Sequence, residues 1–449
     1  MLTFFTNLID HLPIFLLILA VAGGTLYLLL NKQIHSLFDP LFFFLVVNEA
    51  FCIADVVFMH QFGMIETRYL TSYLLTEGAL ILGVLQFRGA AKRPSGKKQP
   101  PAAATEALAL LYRISLFLFI GLNLLVYSQR GIPIFLDSRM VVYTIGGGWG
   151  ILSRLFDVLV AIILFHLLEV LRRRKWTLSE WGALLATILI QVLSGAKSAV
   201  VNLVFLVALY GAFTGSLGAS AARAGRMLKW LALSAVASLL IVAGVQASDA
   251  EVAGRQVNLI GQVAVRMVNA GDALIYAYPD RAVEGLDGQN PAGAVLREYL
   301  AFFRLAQPDQ LPKHLGVQIT DQFLGPDSHF QTNAKHNIFG YVYFGYWGAI
   351  LFSYLVGTSI GIGRYLLPRF LPKHWVGGIA FMVVNLALVM SLNDFDGGSR
   401  GILNVLFLFF PMAALAQHLA ARKHGMPAPT AVCPALPNLG PGQANGAAK

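Results

Sequence analysis

An all-α, polytopic membrane protein is the fold class this sequence predicts, on three observations. Of its 449 residues 57% are hydrophobic, only 12% are charged, and apolar runs of bilayer-spanning length recur from end to end. A soluble core of this size needs neither that much apolar surface nor such long uninterrupted runs. The mean hydropathy of +0.65 agrees. Two cysteines, Cys52 inside an apolar run and Cys433 in a Pro-rich tail, give no disulfide framework and no metal site. The formal charge of +10 comes from Lys and Arg gathered in short loops between apolar runs, which is a topology pattern rather than a nucleic-acid-binding one.

About 17 to 25 apolar residues suffice to cross a bilayer, and the chain offers about eleven such stretches. In order they are 12–30, 40–59, 69–87, 107–127, 150–171, 177–194, 199–214, 230–246, 338–362, 375–392 and 400–418. The first lacks a basic leader and a small-residue cleavage site, so it reads as a retained helix. Basic residues concentrate in the 88–106 loop, in "RRRK" at 172–175, in 215–229 with Arg223, Arg226 and Lys229, and in "RYLLPRFLPKH" at 364–374. The positive-inside rule makes these sides cytoplasmic. The expected organisation is therefore transmembrane helices 1–8 within 1–246, one large periplasmic loop over 247–337, transmembrane helices 9–11 within 338–420, and a disordered cytoplasmic tail over 421–449, which is rich in Pro, Gly and Ala. Within the loop, 254–278 and 292–307 have helical, amphipathic spacing. Arg297 and Arg304 are seven apart, which predicts a shared face, with Tyr299, Phe302 and Phe303 toward the membrane boundary.

Two distant stretches read alike: "LSGAKSAVVNLVFL" at 193–206 and "DGGSRGILNVLFLFF" at 396–410. Each places small residues and one cation, Lys197 or Arg400, before an apolar helix, on the side where the positive-inside bias disfavours it. A cation beside free helix N–H groups makes an anion site, most simply for phosphate. The competing reading is that each cation snorkels to lipid headgroups or pairs with Asp394 or Asp396. Arg266, Arg297 and Arg304 add cations on the same side, a cluster suited to a polyprenyl-linked pyrophosphate, or otherwise to anionic lipid and to pairing with Glu298 and Asp272.

"DSHFQTNAKHNIFGYVYFGYWGAI" at 327–350 puts His329, Lys335, His336 and Asn337 just before a membrane helix. There His336 suits a general base and Asn337 a sugar-orienting amide, or both are polar residues at a helix boundary. There is no HExxH and no P-loop, no DxD-like pair at a nucleotide-sugar site and no GxSxG elbow between a strand and a helix, so metal hydrolysis, nucleotide use and serine chemistry have no support. The second span carries Asn48, Glu49 and Asp55 in "VVNEAFCIADVV". Carboxylates there face a cavity or a partner, couple protons in a transporter, or bond helices together.

The many spans with one large periplasmic loop, "GAKSAV" and "GGSRGIL", and "HN" followed by "GYWG" together resemble the Wzy-type oligosaccharide repeat-unit polymerases, relatives of the O-antigen ligases. The ligase His-Asn then Gly-x-x-Gly pattern falls on His336, Asn337, Gly345 and Gly348, with a spacing about two residues shorter, which favours polymerase over ligase. Lys197 stands where an Arg is usual. The resemblance implies a GT-C-like membrane fold in a bacterial inner membrane, with the active site facing the periplasm. It also implies transfer of a glycan from undecaprenyl pyrophosphate to a lipid-linked repeat unit. Partners would be that donor and acceptor, membrane lipids and a chain-length regulator, with no nucleic acid, no cofactor and no metal. Its expected catalytic residues are His336 and Asn337, and its pyrophosphate-binding residues are Lys197, Arg266, Arg297, Arg304 and Arg400. An O-antigen ligase-type transferase and a flippase for the lipid-linked unit are the alternatives.

Overall fold

The computed structural model describes residues 2–87, 102–136, 150–195, 197–215, 271–307, 310–325 and 332–423. These residues form helices and connecting turns, with no strand among them. The long helices are α1 (Leu2–Asp10), α2 (Leu12–Leu30), α3 (Pro40–Gln61), α4 (Thr67–Leu85), α5 (Ala102–Arg130), α6 (Gly150–Arg173), α7 (Leu178–Leu193) and α8 (Lys197–Thr214). Four shorter ones follow: α9 (Asp272–Ala277), α10 (Pro291–Val295), α11 (Arg297–Phe302) and α12 (Leu315–Leu324). The chain then continues through α13 (His336–Gly361), α14 (Trp375–Met390) and α15 (Phe395–Lys423). Among the described residues six helices are long and apolar enough to cross a membrane, and α7, α8 and α14 are apolar but shorter. The make-up is that of a multi-pass helical membrane protein. The expected span 230–246, Arg266, His329, most of the 88–106 loop and the tail from 424 lie outside the described residues.

Local chemistry explains several boundaries. Asp39 caps α3 by accepting from the Leu41 N–H at 3.0 Å, with Pro40 in the first turn where no N–H is needed. Thr177 and Glu180 form a capping box at the start of α7. The core divides in two. One apolar cluster joins α5 to α8 with α14 and α15, and the other joins α1 to α4 with α9, α12 and α13. Long-range ion pairs define the two ends of the helices. Where α3 passes into α4, Arg68 pairs with Glu66 and Glu284, and Arg281 pairs with Glu66, so the 271–325 segment docks at that end. At the opposite end Arg364 is buried against Asp39 and donates to the Gln33 carbonyl at 2.8 Å.

Residues 338–362 were expected as one span, and here the structure differs. The backbone breaks at Gly345 (φ 70, ψ −176), and α13 folds back on itself as a hairpin. In a continuous helix His336 and Ser353 would stand roughly 25 Å apart, yet His336 Nδ1 and Ser353 Oγ share a 2.9 Å hydrogen bond. The rings of Phe339 and Phe352 stack at 5.1 Å for the same reason. "GYWG" is therefore the turn of a helical hairpin, with arms 336–344 and 346–361. The φ/ψ pair at Gly345 is open almost only to glycine. Gly345→Ala should lower stability by about 1–3 kcal/mol through the backbone alone, since a Cβ there meets nothing within 4 Å. Thermal unfolding in detergent checks this against Gly24→Ala, inside α2 and equally unobstructed. Equal melting temperatures for the two variants would remove the hairpin.

Candidate functional site

The sequence placed Lys197 and Arg400 at equivalent helix starts, and the structure separates them. Lys197 is the first residue of α8, and its side chain lies outside the described residues. Arg400 is well inside α15, which begins at Phe395 with Asp394 at the N-cap position and Asp396 in the first turn. Carboxylates at a helix start complement its dipole, and the "DGG" glycines are helical, not a turn. A Cβ on Gly398 would lie 2.4 Å from Ser391 Cβ, so this glycine permits close packing of α15 on α14. The free N–H site expected at Arg400 is therefore absent, and its guanidinium is the part available for binding.

That guanidinium reaches the 271–307 segment. Arg400 donates from Nη2 to Glu298 Oε1 at 3.1 Å and from Nε to Oε2 at 3.3 Å. Arg154, from the first turns of α6, donates from Nη2 to Glu298 Oε2 at 2.6 Å and lies 5.2 Å from the Phe302 ring centroid. Arg297 Nη1 is 3.7 Å from Asp396 Oδ2, and His314 Nε2 is 3.2 Å from the same oxygen and 3.4 Å from Asp394 Oδ1. Residues from both cores thus meet at one end of the helices. Arg297, Lys313, His314, Phe339, Tyr343 and Asp396 line a shallow depression there, partly open to solvent and without internal room for a water molecule. Arg154 Nη1 and Arg297 Nη1 have no hydrogen-bond partner among the described residues.

Arg304 does not join this group. The helix that was to carry it beside Arg297 stops at Phe302, Arg304 takes a left-handed backbone (φ 53), and its side chain is exposed. The expected shared face does not form. Arg266 lies outside the described residues.

His336 and Asn337 are fully buried, at 0% and 1% exposure, in the seam between α4 and α13. His336 Nε2 is 3.3 Å from Glu77 Oε1 without the alignment of a hydrogen bond. Its backbone N–H donates to the Leu392 carbonyl at 3.1 Å, which anchors the hairpin to the end of α14. Asn337 Nδ2 donates to Thr76 Oγ1 at 2.9 Å and to Glu77 Oε1 at 2.8 Å. Beside them Lys335 Nζ donates to Glu49 Oε1 at 2.6 Å and lies 2.9 Å from Cys52 Sγ, while the Tyr73 hydroxyl donates to Glu49 Oε2 at 3.2 Å. Asp55 is buried with both oxygens unpartnered among the described residues, against Gly271. The neighbouring Asp272 carboxyl is pushed up to about 7 by burial, which the Ala273 N–H only partly offsets.

Two groups bring three potential metal ligands together among the described residues: Glu49, Glu77 and His336, and His314, Asp394 and Asp396. Lys335 already neutralises Glu49, and Arg297 faces Asp396, so each group has a protein cation competing with an ion. Sequence reasoning missed Arg154, Glu77 and His314. Arg154 carried a signal, since a cation just inside an apolar run needs a partner; His314, in a polar loop, carried none.

No family model, curated protein or solved structure matches this chain.

Proposed function

We propose that the chain is a metal-independent integral-membrane glycosyltransferase of the Wzy-type polymerase kind. It transfers a glycan from undecaprenyl pyrophosphate to a lipid-linked repeat unit at the periplasmic face of the inner membrane. The observation that supports this reading best is the convergence of Arg154, Arg297 and Arg400 on Glu298 and Asp396. Arg154 and Arg400 share Glu298 while Arg297 faces Asp396, and guanidinium forks match phosphate oxygens in geometry. The arginines stabilise the departing lipid pyrophosphate as charge develops on it. A ligase would use the same donor site with another acceptor.

Reconstituted protein supplied with the lipid-linked repeat unit should form polymer. Arg154→Ala and Arg400→Ala should each lower the rate by about 10- to 100-fold, the worth of one charge-assisted hydrogen bond of about 1.5–3 kcal/mol. Wild-type rates in both variants would place the pyrophosphate elsewhere.

A second reading, proton-coupled flipping of the lipid-linked unit, draws on the buried Asp55 and the broken helix at Gly345. It requires movement of labelled lipid-linked unit across vesicles without polymer formation, and loss of that movement in Asp55→Asn.

A further inference from the structure

We infer that the seam between α4 and α13 is a structural site for a first-row divalent metal ion, fitted to Zn²⁺ and held by Glu77, His336 and Glu49. It stands apart from the arginines, and the transfer chemistry proposed above makes no use of it. Its basis is a buried charge without a partner cation. The Glu77 side chain is 4% exposed, and its one charged contact among the described residues is with the His336 ring. Lys335 pairs with Glu49 instead. A lone ionised carboxylate between apolar helices is expensive, so positive charge has to be supplied to it. Three buried atoms at this point, Glu77 Oε2, His336 Nε2 and Asn337 Oδ1, have no hydrogen-bond partner among the described residues. One ligand atom from each of Glu49 on α3, Glu77 on α4 and His336 on α13 lies within 4.8 Å of the other two.

A shared proton and a metal ion are the two ways to supply that charge, and the distances favour the ion. An imidazolium closes on a carboxylate to about 2.7–2.9 Å with its N–H aligned. His336 Nε2 and Glu77 Oε1 stand 3.3 Å apart without that alignment. Two donors bound to one tetrahedral Zn²⁺ at about 2.0–2.1 Å are separated by about 3.3–3.4 Å, so the spacing is that of neighbouring ligands. Outer partners are in place as well. His336 Nδ1 bonds to Ser353 Oγ at 2.9 Å, which leaves Nε2 to the ion when Nδ1 carries the hydrogen, and Asn337 Nδ2 donates to Glu77 Oε1 at 2.8 Å. With both oxygens of Glu77, the three residues offer four donor atoms, the number a closed structural site takes. An imidazole among carboxylates suits Zn²⁺ better than Mg²⁺ or Ca²⁺. Glu49 is the weakest of the three ligands, because Lys335 and the Tyr73 hydroxyl already bond its oxygens. Lys335 still leaves a deficit: with Asp55, further along α3 and unpartnered, three ionised carboxylates face one ammonium, a difference that a divalent ion makes up. The ion ties α3, α4 and the first arm of the hairpin together, and it enters as the hairpin closes.

The test uses the full chain, purified in detergent without a polyhistidine tag and washed with EDTA. Metal content is read by plasma mass spectrometry, and thermal unfolding is followed with Zn²⁺ or with EDTA present. Wild type should carry about one Zn²⁺ per chain and melt higher with Zn²⁺ than with EDTA, as a ligand of the folded state alone requires. Glu77→Gln and His336→Gln should each lose the ion, and their melting temperature should no longer respond to Zn²⁺. Arg154→Ala should keep both the ion and the response. Washed wild type that holds no first-row divalent metal and melts alike in Zn²⁺ and EDTA would overturn the site, and that reading needs no variant to fold. Zinc retained in full by Glu77→Gln and His336→Gln would overturn it too. Polymer formation is scored separately: metal-free wild type that builds polymer removes the site and keeps the transferase reading, whereas zinc-loaded wild type that builds none does the reverse.

Discussion

Lys335→Met is expected to destabilise the protein by about 3–5 kcal/mol, because it removes one partner of a buried ion pair and leaves the other charged. Lys335 is 1% exposed and Glu49 is 0% exposed, and the ammonium donates to Glu49 Oε1 at 2.6 Å. Neither group can relax into water, since Glu49 lies within α3 and Lys335 caps the hairpin of α13. The pair also has a geometric role. Lys335 precedes His336 and Asn337, so its tether to α3 and their contacts with Glu77 on α4 fix the first arm of the hairpin from two helices. Glu49→Gln with Lys335→Met removes both charges at once and should recover much of the loss, since replacing a whole buried pair is often near neutral. Denaturant titration in detergent micelles, following tryptophan fluorescence, measures all three proteins. A Lys335→Met variant as stable as the parent would show that the ion pair does not exist as described.

Much of the helix layout was legible because a bilayer demands long apolar runs, and each described run except 338–362, which folds back at Gly345, became a helix near its expected limits. Leu12–Leu30 and Thr67–Leu85 match within two residues of expectation. The misses share a cause, which is packing that overrides local signals. "DGGSRG" has the composition of a turn, yet its glycines are helical because α14 approaches too closely for side chains. The 292–307 periodicity describes a helix that Arg304 ends with a left-handed residue. The site was half legible for a related reason. Arg297 and Arg400 were found as cations on one side and Glu298 was named as a pairing partner, but its bridge from Arg400 to Arg154, 144 residues from Glu298 in the chain, leaves no trace in periodicity. Glu77 was hidden in an otherwise apolar span, and only the hairpin at Gly345 brings Asn337 and His336 to it.

A close approach of two helices yields the other large effect expected. The second arm of α13 runs parallel to α4, with Tyr346 near Thr71 at one end and Thr358 hydrogen-bonded to Gln86 at the other. Between these points Gly357 faces Leu80, and a Cβ on Gly357 would stand 2.1 Å from the Leu80 carbonyl oxygen. Gly83 has the reciprocal problem, with its Cβ 2.4 Å from the Tyr354 carbonyl oxygen. Both obstructions are backbone atoms, which no rotamer change can move, so any side chain must push the helices apart. Gly357→Val should therefore cost about 3 kcal/mol or more, at or beyond the usual range for overpacking. The separation would also open the seam where Asn337 meets Thr76 and Glu77, so the loss of packing carries a loss of buried hydrogen bonds. Gly78→Ala is the control, because it lies on the same α4 helix with nothing within 4 Å of a new Cβ. It should be neutral or slightly stabilising, as alanine favours a helix interior over glycine by roughly 0.5–1 kcal/mol. Unfolding in micelles should rank Gly357→Val far below the parent and Gly78→Ala at or above it. Equal stability of Gly357→Val and the parent would mean that α4 and α13 do not meet along this face, and the buried placement of His336 would fall with that contact.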